Sequence, residues 1–302
     1  MRSAIRLLTL LTLLALVSLP FKNARAQDTP QLAVADSSQI QRIRLSDGSS
    51  LVGRITGTTA DSVFVKTAMA EIRLSRAAVK KVETAPASRL KNGEFWPQNP
   101  NATRLIFGPT GRQLKKGDGY FSSYELFFLG VSGGVSDYVT LGGGMSIFPV
   151  GFDDFFGNNI YYLTPKVGLV QKEGLSIAVG GLFGALGSEL INGDGGKFGI
   201  VYGVGTAGSA DHSVTFGTGF SYYGTDFSAK PLFMLGTEQR MTRRLSFVSE
   251  NYFFTGQGSE GHLVSYGVRF IGEKLSIDLA LLNNLSEVIF PGIPFLGFVF
   301  AF

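Results

Sequence analysis

The last eight residues of the chain restrict its fold more than any other stretch. They read Phe-Leu-Gly-Phe-Val-Phe-Ala-Phe, from position 295 to Phe302, with large apolar side chains at every second position and no charge. Because successive side chains of a β-strand point to opposite faces, this alternation predicts a strand. A strand of a water-soluble protein alternates too, but it rarely ends a chain on an aromatic residue without a charge. The ending therefore favours a membrane β-protein.

This ending resembles the closing strand of bacterial outer-membrane β-barrels. In that family the terminal phenylalanine is part of the signal that the barrel assembly machinery recognises, and the resemblance implies this role for Phe298, Phe300 and Phe302. It also implies the outer membrane of a Gram-negative bacterium, with membrane lipid, lipopolysaccharide and the assembly machinery as partners. The resemblance covers residues 102–302 in general features and carries no diagnostic motif, so it implies an architecture but no substrate.

The other end of the sequence reads as a secretory signal peptide over residues 1–26. Arg2 and Arg6 form a basic region, residues 7–19 form an uncharged apolar stretch, and Ala24 and Ala26 are the small residues that a signal peptidase reads. The apolar stretch has about 13 residues, whereas a membrane-spanning helix needs about 20. We expect cleavage after Ala26 and a flexible start over residues 27–37. An uncleaved anchor is the alternative.

The composition agrees with an exported chain of two modules. The sequence has no cysteine, which excludes lipoprotein attachment and disulfide bonds. Four of the 27 Lys and Arg lie in the signal peptide, so the mature chain carries 23 of them against 23 Asp and Glu. Residues 27–91 hold 10 basic and 6 acidic residues, and residues 92–302 hold 13 and 17. Such a difference in charge between two parts of a chain indicates two modules.

The first module is expected over residues 38–84. Strand-like runs cover residues 40–45, 50–56, 62–66, 70–74 and 79–83, and Asp47-Gly48 supplies a turn between the first two. Residues 44–55 read Arg-Leu-Ser-Asp-Gly-Ser-Ser-Leu-Val-Gly-Arg-Ile, which resembles the first motif of Sm-like and SH3-like β-barrels. The resemblance implies a small β-barrel, which we expect to lie in the periplasm.

The partner of this module is expected to be acidic. Sm-like proteins bind RNA, but recognition of single strands uses aromatic stacking, and Phe64 is the only aromatic residue over 38–84. We therefore expect no nucleic-acid partner. The basic excess favours peptidoglycan or a periplasmic protein, and a solvated spacer is the other interpretation. Residues 85–101, which include three prolines and Trp96, read as a linker.

Residues 102–302 predict a barrel of alternating strands. Short turns recur near residues 136, 173, 210, 242 and 273, with longer connections between them, as in outer-membrane barrels whose short turns lie in the periplasm. Single-chain bacterial barrels have even strand numbers, so residues 103–108 are added as a first, ascending strand. Twelve strands are expected, with ten as the alternative, and a soluble β-sandwich is the competing class. The other segments are 119–134, 138–148, 159–171, 174–187, 197–208, 212–223, 229–241, 244–255, 261–271, 274–284 and 293–302.

Ionisable residues within the strands are expected to face the lumen, because Lys or Arg on the lipid face costs about 2–4 kcal/mol at mid-depth. Two arrangements are open. The charges either pair across a narrow, filled interior, or they line a water-filled channel with a weak preference for cations. The alternation leaves Glu250 ambiguous and assigns the others inward: Glu125, Lys166, Glu238, Arg269 and Asp278.

The sequence contains no motif for catalysis, metal binding or cofactor binding. Its two histidines, His212 and His262, fall at opposite rims of the predicted barrel and cannot share one site. We expect no cofactor, no metal site and no enzymatic activity, with an outer-membrane hydrolase as a remote alternative. The leading hypothesis is a passive pore or solute channel with a charged lumen. The alternative is a structural protein whose filled barrel anchors the basic module in the cell envelope.

Overall fold

A computed structural model describes residues 32–91, 93–149, 155–188, 196–255, 261–286 and 289–302. The predicted signal peptide, with Ala24 and Ala26, lies outside these residues. The chain divides into two compact units, one up to Trp96 and one from Pro97 to Phe302. Within the described ranges, no helix is both long and apolar enough to cross a membrane.

The first unit is built on five antiparallel strands in the order β4-β3-β2-β1-β5. They correspond to the five strand-like runs of the sequence. Inward-facing Ile43, Ile55, Val63 and Val65 are fully buried and form its core with Val79. The strands are β1 (Gln39–Leu45), β2 (Ser50–Thr58), β3 (Ser62–Lys66), β4 (Glu71–Ser75) and β5 (Val79–Pro86), with a 3-10 helix at Arg76–Ala78.

The stretch expected to be a linker, residues 85–101, contains short regular elements and is divided between the two units after Trp96. Strand β5 runs to Pro86, a 3-10 helix covers Ala87–Arg89, and β6 (Leu90–Lys91) pairs with β7 (Glu94–Phe95) in an antiparallel arrangement. The ammonium of Lys91 lies 4.5 Å from the ring centre of Trp96, a cation–π contact. These local contacts extend the first unit to Trp96, and the residues from Pro97 onward belong to the second.

The second unit is a closed antiparallel barrel. In the described part of the chain it has twelve strand positions, because β11 and β12 share one position and β16 only extends β15. Pairing of β21 with β8 closes the ring. The strands are β8 (Gly119–Tyr124), β9 (Phe128–Ser136), β10 (Val139–Ser146), β11 (Ile160–Leu163), β12 (Lys166–Lys172), β13 (Leu175–Leu186), β14 (Phe198–Gly208), β15 (His212–Tyr223), β16 (Asp226–Phe227), β17 (Leu232–Thr242), β18 (Leu245–Phe254), β19 (His262–Ile271), β20 (Leu275–Asn284) and β21 (Ile293–Ala301); a short helix covers Phe155–Asn158.

The predicted count of twelve is confirmed, but two of its parts were wrong. Residues 119–134 form two strands, β8 and β9, joined by a turn in which Glu125 and Leu126 have φ of 51° and 62°. Left-handed residues of this kind are usually Gly, Asn or Asp, so the turn has no sequence signature. Residues 103–108, predicted as the first strand, lie inside the barrel instead, where Leu105 and Ile106 are buried. The first difference adds one strand to the predicted number and the second removes one, so the total of twelve is unchanged.

The two rims of the barrel differ. At one end, here called the short-turn end, pairs such as β12–β13 and β19–β20 are joined by two or three residues. The connections at the other end, the long-loop end, are mostly longer. The outward face between the rims is apolar, with large side chains that are 40–58% exposed: Val131, Leu141, Val167, Leu169, Val179, Phe183, Val214, Phe216, Leu235, Phe270, Leu279 and Phe300.

The hydrophobic core of the barrel lies in its lumen. Leu105 and Ile106 pack there against inward-facing residues of six strands, which surround them. An eight-strand barrel is filled by its own side chains, and one of sixteen strands leaves a channel. A barrel of intermediate width therefore leaves a space that a further piece of chain can fill. The strand residues in this core are Ala178, Val204, Met234, Val248, Ala280 and Phe295.

One ion-pair network joins β1 and β5 in the first unit. Arg42, which is buried, pairs with Glu83, and Lys81 approaches the same carboxylate at 2.8 Å. Partial burial raises the pKa of Glu83, but hydrogen bonds from Lys81 and Arg42 outweigh it, so the pKa lies below its ordinary 4.5. The ionised form of Glu83 therefore stabilises this sheet.

We expect Glu83→Gln to lower the stability of the first unit by about 1 kcal/mol at pH 7. A depressed pKa means that the stabilisation is complete above pH 4.5 and is lost as the pH falls through the lower, folded value. Hydrogen exchange at the backbone amides of the paired residues Ile43 and Val82, corrected for intrinsic exchange rates, measures the stability of the first unit in the full chain as a function of pH. Glu94→Gln, on exposed β7, is the control. A pH profile of Glu83→Gln identical to wild type contradicts the assignment.

Candidate functional site in the barrel lumen

Residues 97–118, which we call the inner segment, enter the lumen, and most residues of the part from Asn99 to Gly111 are buried there. Its deepest part is a tight hairpin: Leu105 N–H donates to the Gly108 carbonyl at 2.8 Å, and Thr110 N–H donates to that of Thr103 at 3.0 Å. The hairpin bonds leave most backbone groups of residues 99–112 without a partner in the segment itself. Buried backbone groups need hydrogen-bond partners. In this lumen the charged side chains of the barrel strands supply them.

Glu250, on β18, binds the tip of the hairpin. Its carboxylate accepts three successive backbone N–H groups, from Ile106 at 2.8 Å, Phe107 at 3.0 Å and Gly108 at 3.0 Å. Glu250 is fully buried. Successive amides that converge on one anion form an electropositive concavity, which here receives the carboxylate of the barrel wall. The residue that alternation left ambiguous therefore points inward and holds the tip.

Arg269, on β19, binds the carbonyl groups of the same hairpin. Its Nη2 donates to the Leu105 carbonyl at 2.8 Å and its Nη1 to that of Asn101 at 3.1 Å. The guanidinium also forms a two-point pair with Asp278, at 2.7 and 3.0 Å, and contacts Glu238 at 2.9 Å. Arg269 is fully buried, so its charge depends on these two carboxylates.

The same carboxylates hold two asparagines of the inner segment. Asn99 donates its side-chain amide to Glu238 at 2.8 Å, and Asn101 donates to Asp278 at 3.0 Å. Both asparagines are buried. Glu238 and Asp278 thus contact the segment through its side chains, while Arg269, which they neutralise, contacts its backbone. The result is one connected polar network rather than separate pairs.

Lys166, on β12, binds the segment from another part of the wall. Its ammonium donates to three carbonyl groups, those of Thr103 at 3.1 Å, Thr110 at 3.0 Å and Arg112 at 2.7 Å. These carbonyls belong to both arms of the hairpin. A lysine has three donors, and all three are engaged here. Lys166 therefore clamps the two arms together.

Further contacts fix both ends of the inner segment. Arg240 donates to the Pro97 carbonyl at 3.1 Å, where the segment begins. Near its end, Lys116 N–H donates to the Asp137 carboxylate at 2.9 Å, in the turn between β9 and β10. Pro97 and Lys116 both lie toward the short-turn end. The segment therefore enters the lumen from that end, turns at residues 105–108 and returns to it.

The structure brings five of the six predicted lumen residues to the inner segment: Lys166, Glu238, Glu250, Arg269 and Asp278. Glu125 is the exception, because it lies in the turn between β8 and β9 rather than within a strand. Its backbone N–H donates to the Leu296 carbonyl at 2.8 Å at the long-loop end. Alternation placed Glu125 inward only because residues 119–134 were taken as one continuous strand.

Sequence reasoning missed the residues of the inner segment itself, above all Asn99, Asn101 and Arg104. One signal for them was present. The apolar run at 103–108 is shorter than the roughly 9–11 residues of a membrane-spanning strand. It also lies between Pro100 and Pro109, with two asparagines before it. A short apolar run between prolines and amides is better explained by a buried loop than by a strand.

The remaining predicted positions lie on the strands. Phe298 and Phe300 are on β21, and Phe302 follows it with its N–H bonded to the Gly119 carbonyl at 3.0 Å. His212 begins β15 at the short-turn end, and His262 begins β19 at the long-loop end. Among the described residues, no group of three or more His, Cys, Asp or Glu is arranged to hold a metal ion.

Comparisons with known proteins find similar structures but no sequence family. No family model matches the chain, and no curated protein matches it significantly. The KdgM porin in complex with disordered oligogalacturonate is similar with a TM-score of 0.45 and 11% identity, over 61% of this chain and 98% of that one. The NanC porin gives 0.37 and 7%, over 61% and 97%. A triple mutant of the Rhodopseudomonas blastica porin gives 0.34 and 9%, over 87% and 98%.

We expect Glu250→Gln to loosen the inner segment. The neutral amide removes the charge that three N–H groups share and offers them one acceptor oxygen, at a cost of about 2–3 kcal/mol. The chain has no cysteine, so Ile106→Cys, at a buried position, introduces a single thiol. Its maleimide labelling rate should rise about 30-fold or more in the Glu250→Gln background.

The control for this measurement is Asp226→Asn, which removes a carboxylate from exposed β16. It should leave the labelling of Ile106→Cys at its original rate. Equal labelling in the Glu250→Gln and control backgrounds would mean that the carboxylate does not hold the hairpin tip.

Proposed function

We propose that this protein is a pore-type barrel of the Gram-negative outer membrane whose path through the lumen is closed by its own inner segment. The observation that supports the closed state is the binding of Lys166, Glu250 and Arg269 to backbone groups of residues 101–112. In an open, charged channel these side chains would face water. Here their hydrogen-bonding capacity is used by the segment, so conduction requires the segment to shift.

Membrane insertion is supported by the outward face of the barrel. Its exposed aliphatic and aromatic side chains form a contiguous band that water-soluble proteins do not present. Lipid is the environment that suits such a band on a closed barrel, which has no open sheet edge. The proposal includes outer-membrane lipid and lipopolysaccharide around the barrel, with the short-turn end in the periplasm. It also includes recognition of the ending at Phe298, Phe300 and Phe302 by the assembly machinery.

We extend the proposal to the first unit as a small SH3-like or Sm-like barrel in the periplasm. The strand order β4-β3-β2-β1-β5 and the turn at Asp47-Gly48 support this fold. The excess of 10 basic over 6 acidic residues in 27–91 supports an acidic partner. Peptidoglycan, whose stem peptides carry carboxylates, is the proposed class.

Binding to the cell wall is measured by sedimentation of the full-length protein with purified peptidoglycan. We expect it to co-sediment at low salt and to be released at about 0.5 M NaCl, since exposed charges are screened. Arg73→Gln with Lys80→Gln should weaken binding several-fold. The charge-neutral pair Ser49→Ala with Thr58→Ala serves as the control. If the amount of protein that co-sediments changes neither with salt concentration nor with Arg73→Gln and Lys80→Gln, the partner is not bound electrostatically.

The closed-pore proposal is tested by locking the inner segment. A Cβ at position 236 would stand 3.5 Å from Cγ of Leu105 and 2.9 Å from the Ser249 carbonyl oxygen, so Leu105→Cys and Gly236→Cys can be joined by a disulfide after a shift of the backbone there. In planar bilayers we expect wild type to be mostly closed with brief openings, and Glu250→Gln to raise the open fraction. Oxidation of the double-cysteine chain in the Glu250→Gln background should abolish openings, and reduction should restore them.

Leu105→Cys alone, treated with the same oxidant and reductant, is the matched control and should not respond. Steady conductance in the oxidised double-cysteine protein would show that ions pass without movement of the segment, which contradicts the proposal. Absence of conductance in every variant would favour the second candidate, a structural barrel that anchors the basic unit. The observation that favours this second candidate is that the inner segment fills part of the lumen.

A further inference from the structure

A cavity of about 570 Å³ lies in the lumen beside the hairpin tip. Residues Phe107–Pro109 of the tip line it, and it reaches the long-loop end at Phe128, where β9 begins, and Phe198, where β14 begins. Small-molecule sites commonly have volumes of about 300–1,000 Å³. Closure of the pore by the inner segment does not explain why this space is present.

Three aromatic side chains lie flat against one side of the cavity. Each is paired across the sheet with an inward-facing glycine: Tyr162 with Gly144, Tyr202 with Gly180, and Phe198 with Gly184. A Cβ on these glycines would stand 2.7, 2.8 and 2.6 Å, respectively, from Cζ of the paired ring. Neighbouring strands are about 4.8 Å apart, so a ring whose far end covers the next strand lies along the sheet. Its face therefore points into the lumen.

Tyr162 shows this arrangement most clearly. Its hydroxyl donates to the Leu129 carbonyl at 2.9 Å, and Leu129 is on β9, two strand positions away from β11. The ring therefore crosses β10 at Gly144, where any side chain would lift it off the sheet. Tyr162, Phe198 and Tyr202, which all line the cavity, form a surface that we call the aromatic wall.

The charged groups of the cavity are already engaged. Among the described residues that line it there is no carboxylate, and its two cations are Lys166 and Arg104. The ammonium of Lys166 donates to three backbone carbonyls of the inner segment. Arg104 is buried, and its guanidinium stacks 4.1 Å from the ring centre of Tyr124. A charged ligand would lose its hydration here without gaining a partner of opposite charge that is open to the cavity.

Uncharged polar groups are available beside the aromatic wall. The hydroxyl-bearing residues Ser122, Ser132 and Thr164 line the cavity. A hydroxyl can both donate and accept a hydrogen bond, so these groups suit a neutral polar ligand atom. Aromatic faces favour offset stacking with other rings. The two kinds of group together match a ligand that is flat, aromatic and uncharged.

We propose that the cavity binds an uncharged, planar aromatic molecule. The molecule stacks on the aromatic wall and presents a hydroxyl or carbonyl group to the hydroxyl side chains beside it. Binding depends on the barrel wall and requires no movement of the inner segment, so the site exists whether or not the barrel conducts ions.

The ligand class is tested with full-length protein in nanodiscs and radiolabelled 2-naphthol, by equilibrium dialysis against empty nanodiscs of the same lipid. We expect one saturable site per chain. Decahydro-2-naphthol, which has the same skeleton without aromatic rings, should compete about fivefold more weakly because it cannot stack. The anion 2-naphthoate and the cation 2-naphthyltrimethylammonium should compete about tenfold more weakly or less, since each must bury an unpaired charge.

The position of the site is tested on Tyr202. Tyr202→Leu, which removes the ring, should weaken 2-naphthol binding about fivefold, whereas Tyr202→Phe keeps the ring and should bind as wild type does. Tyr222→Leu is the matched control and should leave binding unchanged. Tyr222 covers its paired Gly199 in the same manner, but on the outward face beside exposed Phe183.

Heat-modifiable gel mobility reports that each barrel is folded, and the competition series in wild type remains decisive if Tyr202→Leu does not fold. Binding of 2-naphthol no greater than to empty nanodiscs would overturn the proposal. So would equal competition by decahydro-2-naphthol or by either charged analogue, or equal affinity of the folded Tyr202→Leu and Tyr202→Phe proteins.

Discussion

The structure depends on one constraint: a length of irregular backbone lies inside a barrel, and its amides and carbonyls must find partners there. The barrel meets this requirement with charged side chains, each matched to the sign of the backbone group that it binds. Glu250 takes the amides at the hairpin tip, and Arg269 and Lys166 take the carbonyls of its arms. Since a buried charge is stable only with partners, the strands and the inner segment require one another.

The width of the barrel explains why such a segment is needed. Twelve strand positions among the described residues enclose more space than inward side chains fill, particularly where those are glycine, serine or alanine. Leu105 occupies part of this space so closely that a Cβ on Gly236 would stand 2.2 Å from its Cδ1. The charged residues bind the backbone of the hairpin, and Gly236 on β17 leaves room for the Leu105 side chain. Both features hold the hairpin in the lumen.

Much of this arrangement follows from the sequence, and the part that does not has identifiable reasons. Alternation and turn spacing predict the strands from β10 onward, because most short turns there are marked by glycine, aspartate or serine; the β17–β18 turn, Arg243-Arg244, is an exception. The β8–β9 turn escapes prediction because Glu125 and Leu126 adopt left-handed backbone conformations without such a residue. Alternation also orients Lys166, Arg269 and Asp278. It cannot identify what they bind, since their partners lie in a segment with no periodicity of its own.

The positions of these partners along the chain bear on how the protein folds. Asn101 and Asp278 are 177 residues apart, and Ile106 and Glu250 are 144 apart. The inner segment is synthesised before every strand of the barrel, yet its backbone can bind Glu250 and Arg269 only once β18 and β19 exist. Contacts between such distant residues form slowly, because a long loop must close before any of them stabilises the chain. The hairpin at residues 103–110 is therefore among the first parts of the barrel unit to be made and among the last to reach its native environment.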